Sequence, residues 1–319
     1  MFQVRKYKPL FVLVFISNIL YAQKIELNSE KKGLSIYKKE IIFGLGATQY
    51  IGDIGGTSSG DFSGAEFGKK RYGIADMNLQ TTSFGGMFGY RYRFNKIFAT
   101  VSSLNFGYIK EDDALSRDLV KRQRNLHFRT FIVDYQQRLE VTLLGLSRYN
   151  SETNIAKHTE QIYIFGGVGV CHFNPKAKYQ GDWIDLKPLS TEGEGIKGSK
   201  IKDYSLFTPI VPIGFGFRIG IGEIWRFGIE ATYVKTFTDY LDDVSGVYFD
   251  PAKLKSEAAK YLSNPSTQNS NWYGPGQIRG NPNTKDSYYF LNFTLSKNLT
   301  IKKVNTAKKK SNPTYKRPI

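Results

Sequence analysis

The chain has 319 residues, and 45 Lys and Arg against 28 Asp and Glu give a formal net charge of +17. Its one cysteine, Cys171, excludes an intramolecular disulfide framework and a cysteine-rich zinc site. Aromatic residues reach 15%, with 21 Tyr and 23 Phe, yet no stretch beyond the N-terminus is long and apolar enough for a transmembrane helix. That combination suits a membrane β-barrel, in which an apolar band alternates with polar lumen positions, and a plain β-sandwich shares it.

At the N-terminus, Arg5, Lys6 and Lys8 precede the apolar run from Leu10 to Ile16, which continues to Leu20, Tyr21 and Ala22. A basic start, a short apolar centre and a small residue at the cut describe a signal peptide over residues 1–22. The apolar run falls short of the roughly 20 residues that span a bilayer. Residues 23–39 are polar and lysine-rich, a flexible lead-in.

Eight alternating segments follow. The first covers Glu40 to Ile51, with Ile41, Phe43, Leu45 and Ala47 on one face. The second, Thr82 to Phe94, sets Phe84, Phe88 and Tyr90 against Met87, Arg91 and Arg93. The very short Asn95-Lys96 turn leads into the third, Ile97 to Ile109, so these two read as a hairpin. A charged connection, Glu111 to Arg124, precedes the fourth, Asn125 to Leu143. There Gln137 interrupts the apolar face, which points to a bulge or an interfacial position. In the fifth, Gln161 to Phe173, both faces are apolar and neither can be assigned inward.

The sixth, Tyr204 to Ile221, follows a long loop from Asn174 to Asp203. A tight turn at Gly222 to Trp225 leads to the seventh, which alternates from Phe227 to Phe237. The last long loop, Thr238 to Asp286, carries a short helix within Pro251 to Leu262, and the eighth segment runs from Ser287 to Leu299. Connections therefore run long, short, long, moderate, long, short, long. Short turns at one end and long loops at the other predict an all-β fold: an eight-stranded antiparallel transmembrane β-barrel, with the turns and both termini in the periplasm. The domain reading is a signal peptide at 1–22, a periplasmic lead-in at 23–39, the barrel at 40–299 and a basic tail at 300–319.

In this register Arg91, Arg93, Asp134, Arg138, Glu140, Arg218 and Glu230 face the lumen. Eight strands leave only enough interior for side chains to fill, so a structural charge network is favoured over an ion path. Asp239, Asp242 and Asp243 invite a calcium reading, but they lack the alternating ligands and terminal glutamate of an EF-hand, and solvated loop aspartates capping backbone amides are favoured. His127, His158 and His172 are scattered, and no nucleophile or phosphate-loop motif stands in context. No catalytic, metal or cofactor site is expected. The tail carries Lys302, Lys303, Lys308, Lys309 and Lys310 with no acid, which suits an acidic partner or anionic headgroups.

Several segments together resemble the PorG-like outer-membrane barrels of Bacteroidetes. They are Tyr50 to Gly56, Arg124 to Arg129, Phe173 to Ala177 with Pro188 to Gly193, and Thr236 to Ser245, whose Asp239, Tyr240, Asp242 and Asp243 form the most specific piece. His127 and the long basic tail depart from that pattern. The resemblance implies a non-enzymatic component of the type IX protein secretion and gliding machinery, held in the outer membrane. It also implies partners of the PorK or GldK lipoprotein and PorN or GldN type, which build a periplasmic ring that the barrel anchors or positions. The alternatives are a surface adhesin or general structural barrel acting through its loops, and a hydrolase using loop carboxylates with a histidine.

Overall fold

The computed structural model describes residues 38–55, 78–95, 97–116, 118–149, 156–197, 199, 201–221, 224–266 and 271–299. Ten strands lie in it: β1 Lys39–Ile51, β2 Ser83–Arg93, β3 Phe98–Asp112, β4 His127–Tyr149, β5 Ala156–His172, β6 Pro175–Tyr179, β7 Asp182–Asp185, β8 Phe207–Ile221, β9 Trp225–Thr236 and β10 Ser287–Asn298. Eight of them close on themselves in the order β3-β2-β1-β10-β9-β8-β5-β4, with β4 returning to β3. All the pairings are antiparallel, and the first strand meets the last from Glu40 opposite Asn298 to Ile51 opposite Ser287. Closure leaves no unpaired edge, the condition under which strands can cross hydrocarbon. The eight-stranded antiparallel barrel expected from the alternation is the fold of this chain.

Side-chain direction follows the period of two. Phe43, Phe88, Phe106, Phe215 and Phe293 stand exposed on the outer wall, while Glu40, Arg91, Arg138, Arg218 and Glu230 are buried inside. In β5 the inward set is Gln161, Tyr163, Phe165 and Cys171, all buried, and Ile162, Ile164 and Val168 face out. Gln137 needs no bulge. It stays on the outer wall, accepts from the Ser102 hydroxyl at 2.6 Å and donates to Thr100 at 2.6 Å, so its amide is satisfied where water is absent. The irregularity of β4 lies elsewhere, between Thr142 and Leu144.

That shift corrects the fourth connection. Pairing of β4 with β5 continues to Tyr149 opposite Ala156, well past Leu143. The bulge leaves Leu143 and Leu144 both exposed, so the two-residue period breaks although the ladder does not. The connection read as moderate, Gly145 to Thr159, is therefore largely strand, and only residues 150–155 separate the paired ends.

Between the long loops, two further pieces form. The β6–β7 hairpin extends the sheet by pairing Lys176 with Arg129 on β4. Helix α1, Leu119–Arg124, is capped by Asp118, and helix α2, Glu257–Ser263, by Ser256. The single helix expected over Pro251 to Leu262 is instead a 3-10 turn, Pro251–Lys253, followed by α2. Asp250 caps the first piece and Ser256 the second, so two caps divide the segment. The lumen is layered: charges fill the turn end, and Phe128, Ile132, Phe173, Tyr288 and Phe290 fill the loop end in one apolar cluster.

Candidate functional site

Two charged assemblies occupy the interior. In the lower one, Arg91 on β2 donates Nε and Nη2 to Glu140 on β4 at 2.8 and 2.9 Å, and Nη1 to Glu40 on β1 at 2.7 Å. Arg93 reaches Glu40 at 3.1 Å, and Arg226 on β9 pairs with the same carboxylate. Arg218 on β8 donates to Gln161 at 2.7 Å and to Glu140 at 3.0 Å. Arg138 on β4 crosses to Glu230 on β9 at 2.5 Å, where the Tyr163 hydroxyl also donates at 3.0 Å. The planar guanidiniums stack as well as pair: Arg138 lies 4.3 Å from the Phe165 ring centroid and Arg218 lies 4.2 Å from that of Tyr163.

These contacts tie together strands that are not neighbours in the sheet, so side chains bridge the lumen at this level. Buried pairs of this kind hold one arrangement more than they add net stability. Asp134 does not belong to the ion-paired set. It sits nearer the loop end and accepts from Asn105 and from the Tyr288 hydroxyl, each at 2.7 Å. Two members went unnamed in the sequence reading, Glu40 and Arg226. Both stand in phase with inward residues of their strands, Glu40 with Ile42 and Arg226 with Glu230, so alternation alone points to them.

The upper assembly is a cap of loop segments. Asp239, Asp242 and Asp243, expected as solvated, are each 1% exposed or less. Asp242 accepts from the Val244 N–H at 3.0 Å and the Ile54 N–H at 3.2 Å, and its carboxylate lies 2.6 Å from the Tyr50 hydroxyl. Asp286 stands 2.8 Å from that same hydroxyl and accepts from the Leu241 N–H at 3.0 Å. Asp243, held at φ +64°, accepts from Thr191 and Tyr204, both at 2.6 Å. Glu192 takes the N–H groups of Ser245 and Gly246 at 3.0 and 2.9 Å.

Two arginines join these pieces. Arg279 donates to Glu192 at 3.0 Å and to the Asp243 carbonyl at 2.7 Å. Arg124 grips Asp113 at 2.7 and 2.9 Å and donates to the carbonyls of Asp53 and Arg279 at 2.9 and 2.6 Å. Neither arginine lies in an alternating segment, and Arg279 has no periodic signal at all. The cap therefore brings together all four segments that carry the family resemblance. Tyr50 also packs edge-on to Phe128 at 4.8 Å, and Tyr240 stacks on Tyr204 at 4.5 Å.

Burial of this many carboxylates raises their affinity for protons. Burial, with Asp53 nearby, pushes Asp242 up to about 7. Burial, then Asp53 and Asp242, pushes Asp239 up to about 8. Burial, then Asp243 and Glu192, takes Glu194 to about 8. Among the described residues, no group of three or more His, Cys, Asp or Glu side chains is placed to hold a metal ion. His127 accepts from the Lys178 N–H at 2.9 Å, a bond that fastens the β6–β7 hairpin. The candidate contact residues Lys302, Lys303, Lys308, Lys309 and Lys310 lie outside the described residues, as do residues 1–37.

A closed barrel with an apolar outer wall, a charge-bridged lumen and a knitted loop cap defines a membrane β-barrel protein. No family model matches the chain, and no curated protein matches it. Among solved structures, similarity extends to the outer membrane protein OprG from Pseudomonas aeruginosa, at 12% identity and TM-score 0.33, over 83% of this chain and 98% of that one. Ail, the attachment invasion locus protein of Yersinia pestis, matches at 9% identity and TM-score 0.33, over 82% and 97%. Neisserial surface protein A matches at 6% identity and TM-score 0.28, over 82% and 96%. Identities and scores this low leave the fold to stand on the strand pairing itself.

Proposed function

We propose that this chain is an outer-membrane barrel that serves, without catalysis, as a PorG-like component of the type IX secretion and gliding machinery. In that role it anchors or positions the periplasmic ring of PorK/GldK-type and PorN/GldN-type proteins. The observation that carries the reading is the convergence of Tyr50, Arg124, Glu192 and Asp242, one from each resembling segment, on a single buried network. Four segments distant in sequence act as one structural unit, so their resemblance is that of a built feature. The short turns and both ends of the barrel, at Lys39 and Asn298, lie opposite the cap, and in this reading that end faces the periplasm.

Crosslinking in intact cells followed by identification of the joined proteins tests this directly. Ring proteins recovered with the barrel, and loss of secreted cargo on its deletion, are the expected results. Intact secretion with no ring protein recovered overturns the proposal.

A further inference from the structure

The pairing of β3, β4 and β6 sets three cations side by side at one height on the outside of the barrel. Lys110 stands opposite Arg129, and Arg129 stands opposite Lys176. The alternation that turns Tyr108 and Phe131 outward also turns Lys110 and Arg129 outward. One step down the same wall, Tyr108 and Phe131 face each other with ring centroids 5.0 Å apart, both exposed. The row thus sits where the apolar wall ends at the loop side. Directly opposed like charges on neighbouring strands repel, and of the three Lys176 alone has a carboxylate against it among the described residues, so Lys110 beside Arg129 calls for a further anion.

The site has walls as well as charge. A cleft of about 340 Å³ is lined by Tyr108, Arg129, Phe131, His172, Asn174, Lys176 and Trp183, and Lys110 stands beside it on the neighbouring strand, at its rim rather than in its lining. The guanidinium of Arg129 lies over the Trp183 ring, its central carbon 3.8 Å from the centroid, so the aromatic face supports the cation. Nearby acids are few. Asp185 pairs with Lys176 at 2.7 Å in the open, and Asp112 is engaged in capping the Ala114 N–H at 2.8 Å. Among the described residues, neither Lys110 nor Arg129 has a carboxylate partner.

We infer that this cleft binds the phosphorylated headgroup of a lipid in the outer leaflet, with an acyl chain descending over Tyr108 and Phe131; the inference rests on the outer-membrane reading above. A planar guanidinium between two ammonium groups matches phosphate oxygens, and the aromatic step beneath matches the first methylenes of a chain. A basic cluster at a membrane boundary is worth about fivefold in lipid affinity per cation, so removal of all three is expected to weaken binding about a hundredfold.

Native mass spectrometry of the full chain in detergent, titrated with bisphosphorylated lipid A and with the same lipid after phosphate removal, reads this out. The unmodified protein should retain the phosphorylated lipid and release the dephosphorylated one. The triple variant Lys110→Gln, Arg129→Gln, Lys176→Gln should lose retention while keeping the gel mobility of the folded barrel, and Lys176→Arg should keep it. If the triple variant does not fold, Arg129→Gln alone carries the test through a fall in affinity of about fivefold. Equal retention of both lipids, or retention unchanged in the variants, overturns the inference. Inorganic phosphate that displaces the lipid at equal concentration also overturns it, because the cleft is then a phosphate site. Ring crosslinking is read separately, so failure here leaves the proposed function standing and its failure leaves this test interpretable.

Discussion

The Tyr50 hydroxyl has one proton and two carboxylates within 2.8 Å, while the Asp53 N–H donates to its oxygen at 3.2 Å. Asp286 and Asp242 cannot both accept that proton in a full bond, and burial with Asp53 nearby raises Asp242 to about 7, so Asp242 is the group expected to carry a second proton below that pH. The sign follows from linkage. The folded cap binds this proton between the ordinary aspartate range and about 7, whereas the unfolded chain does not, so cap stability is full at low pH and falls as pH rises through 7. Asp239 and Glu194, each near 8, act in the same direction. Hydrogen exchange across residues 237–266 is expected to quicken at least about tenfold between pH 5.5 and 8.5, beyond the intrinsic change, and Asp242→Asn should flatten that rise. A pH-independent cap in the unmodified protein removes the proton from the account. Deeper in the lumen, Arg138→Met strands Glu230 without its ion partner and is expected to cost about 3–5 kcal/mol. Arg138→Met with Glu230→Leu should recover most of that loss, as read from the temperature at which the barrel loses its folded gel mobility.

Helix α2 is too short to stand alone, so its place depends on what it touches. Leu262 packs with Ala177 and Leu186 of the hairpin region in a small buried cluster, and Tyr261 meets Tyr179 at 5.4 Å. Leu262→Ala is therefore expected to cost about 2–3 kcal/mol locally and to open the β6–β7 hairpin to limited proteolysis, with the barrel strands still protected. Cleavage confined elsewhere counts against this coupling. The barrel strands were legible because lipid outside and charge inside impose a strict period of two, as in β2 and β8. The hairpin was not, since Pro175 to Asp185 shows no such period and forms by adding to the exposed start of β4. The end of β4 was hidden by a bulge that swaps faces. In the cap, Asp239, Asp242 and Asp243 were visible as a motif, but their burial was not. Solvent exclusion there comes from Arg124, Arg279 and Tyr50, which lie far apart along the chain.

At the scale of the whole molecule, two ends with different chemistry are joined by a rigid wall. The loop end is closed by the cap, and the opposite end carries the close of β10 at Asn298 with the basic residues 302–317 beyond it. A closed barrel whose lumen is bridged by arginine and glutamate resists partial opening, because breaking any one pair leaves a buried charge. The unboiled protein is thus expected to migrate away from its heated position on a denaturing gel, with β-type circular dichroism in detergent. Under the proposed ring-anchoring role, the tail, whose charged residues are all basic, is expected to supply the long-range attraction to the ring. Truncation after Leu299 should leave gel mobility and lipid retention intact while weakening recovery of ring proteins. The difference between full and truncated chains should shrink as salt rises toward about 1 M, where screening contracts to about 3 Å. Equal recovery of ring proteins by both chains at every salt concentration excludes the tail from the contact and moves it to the turns, Asn95 and Ile221–Trp225 among them.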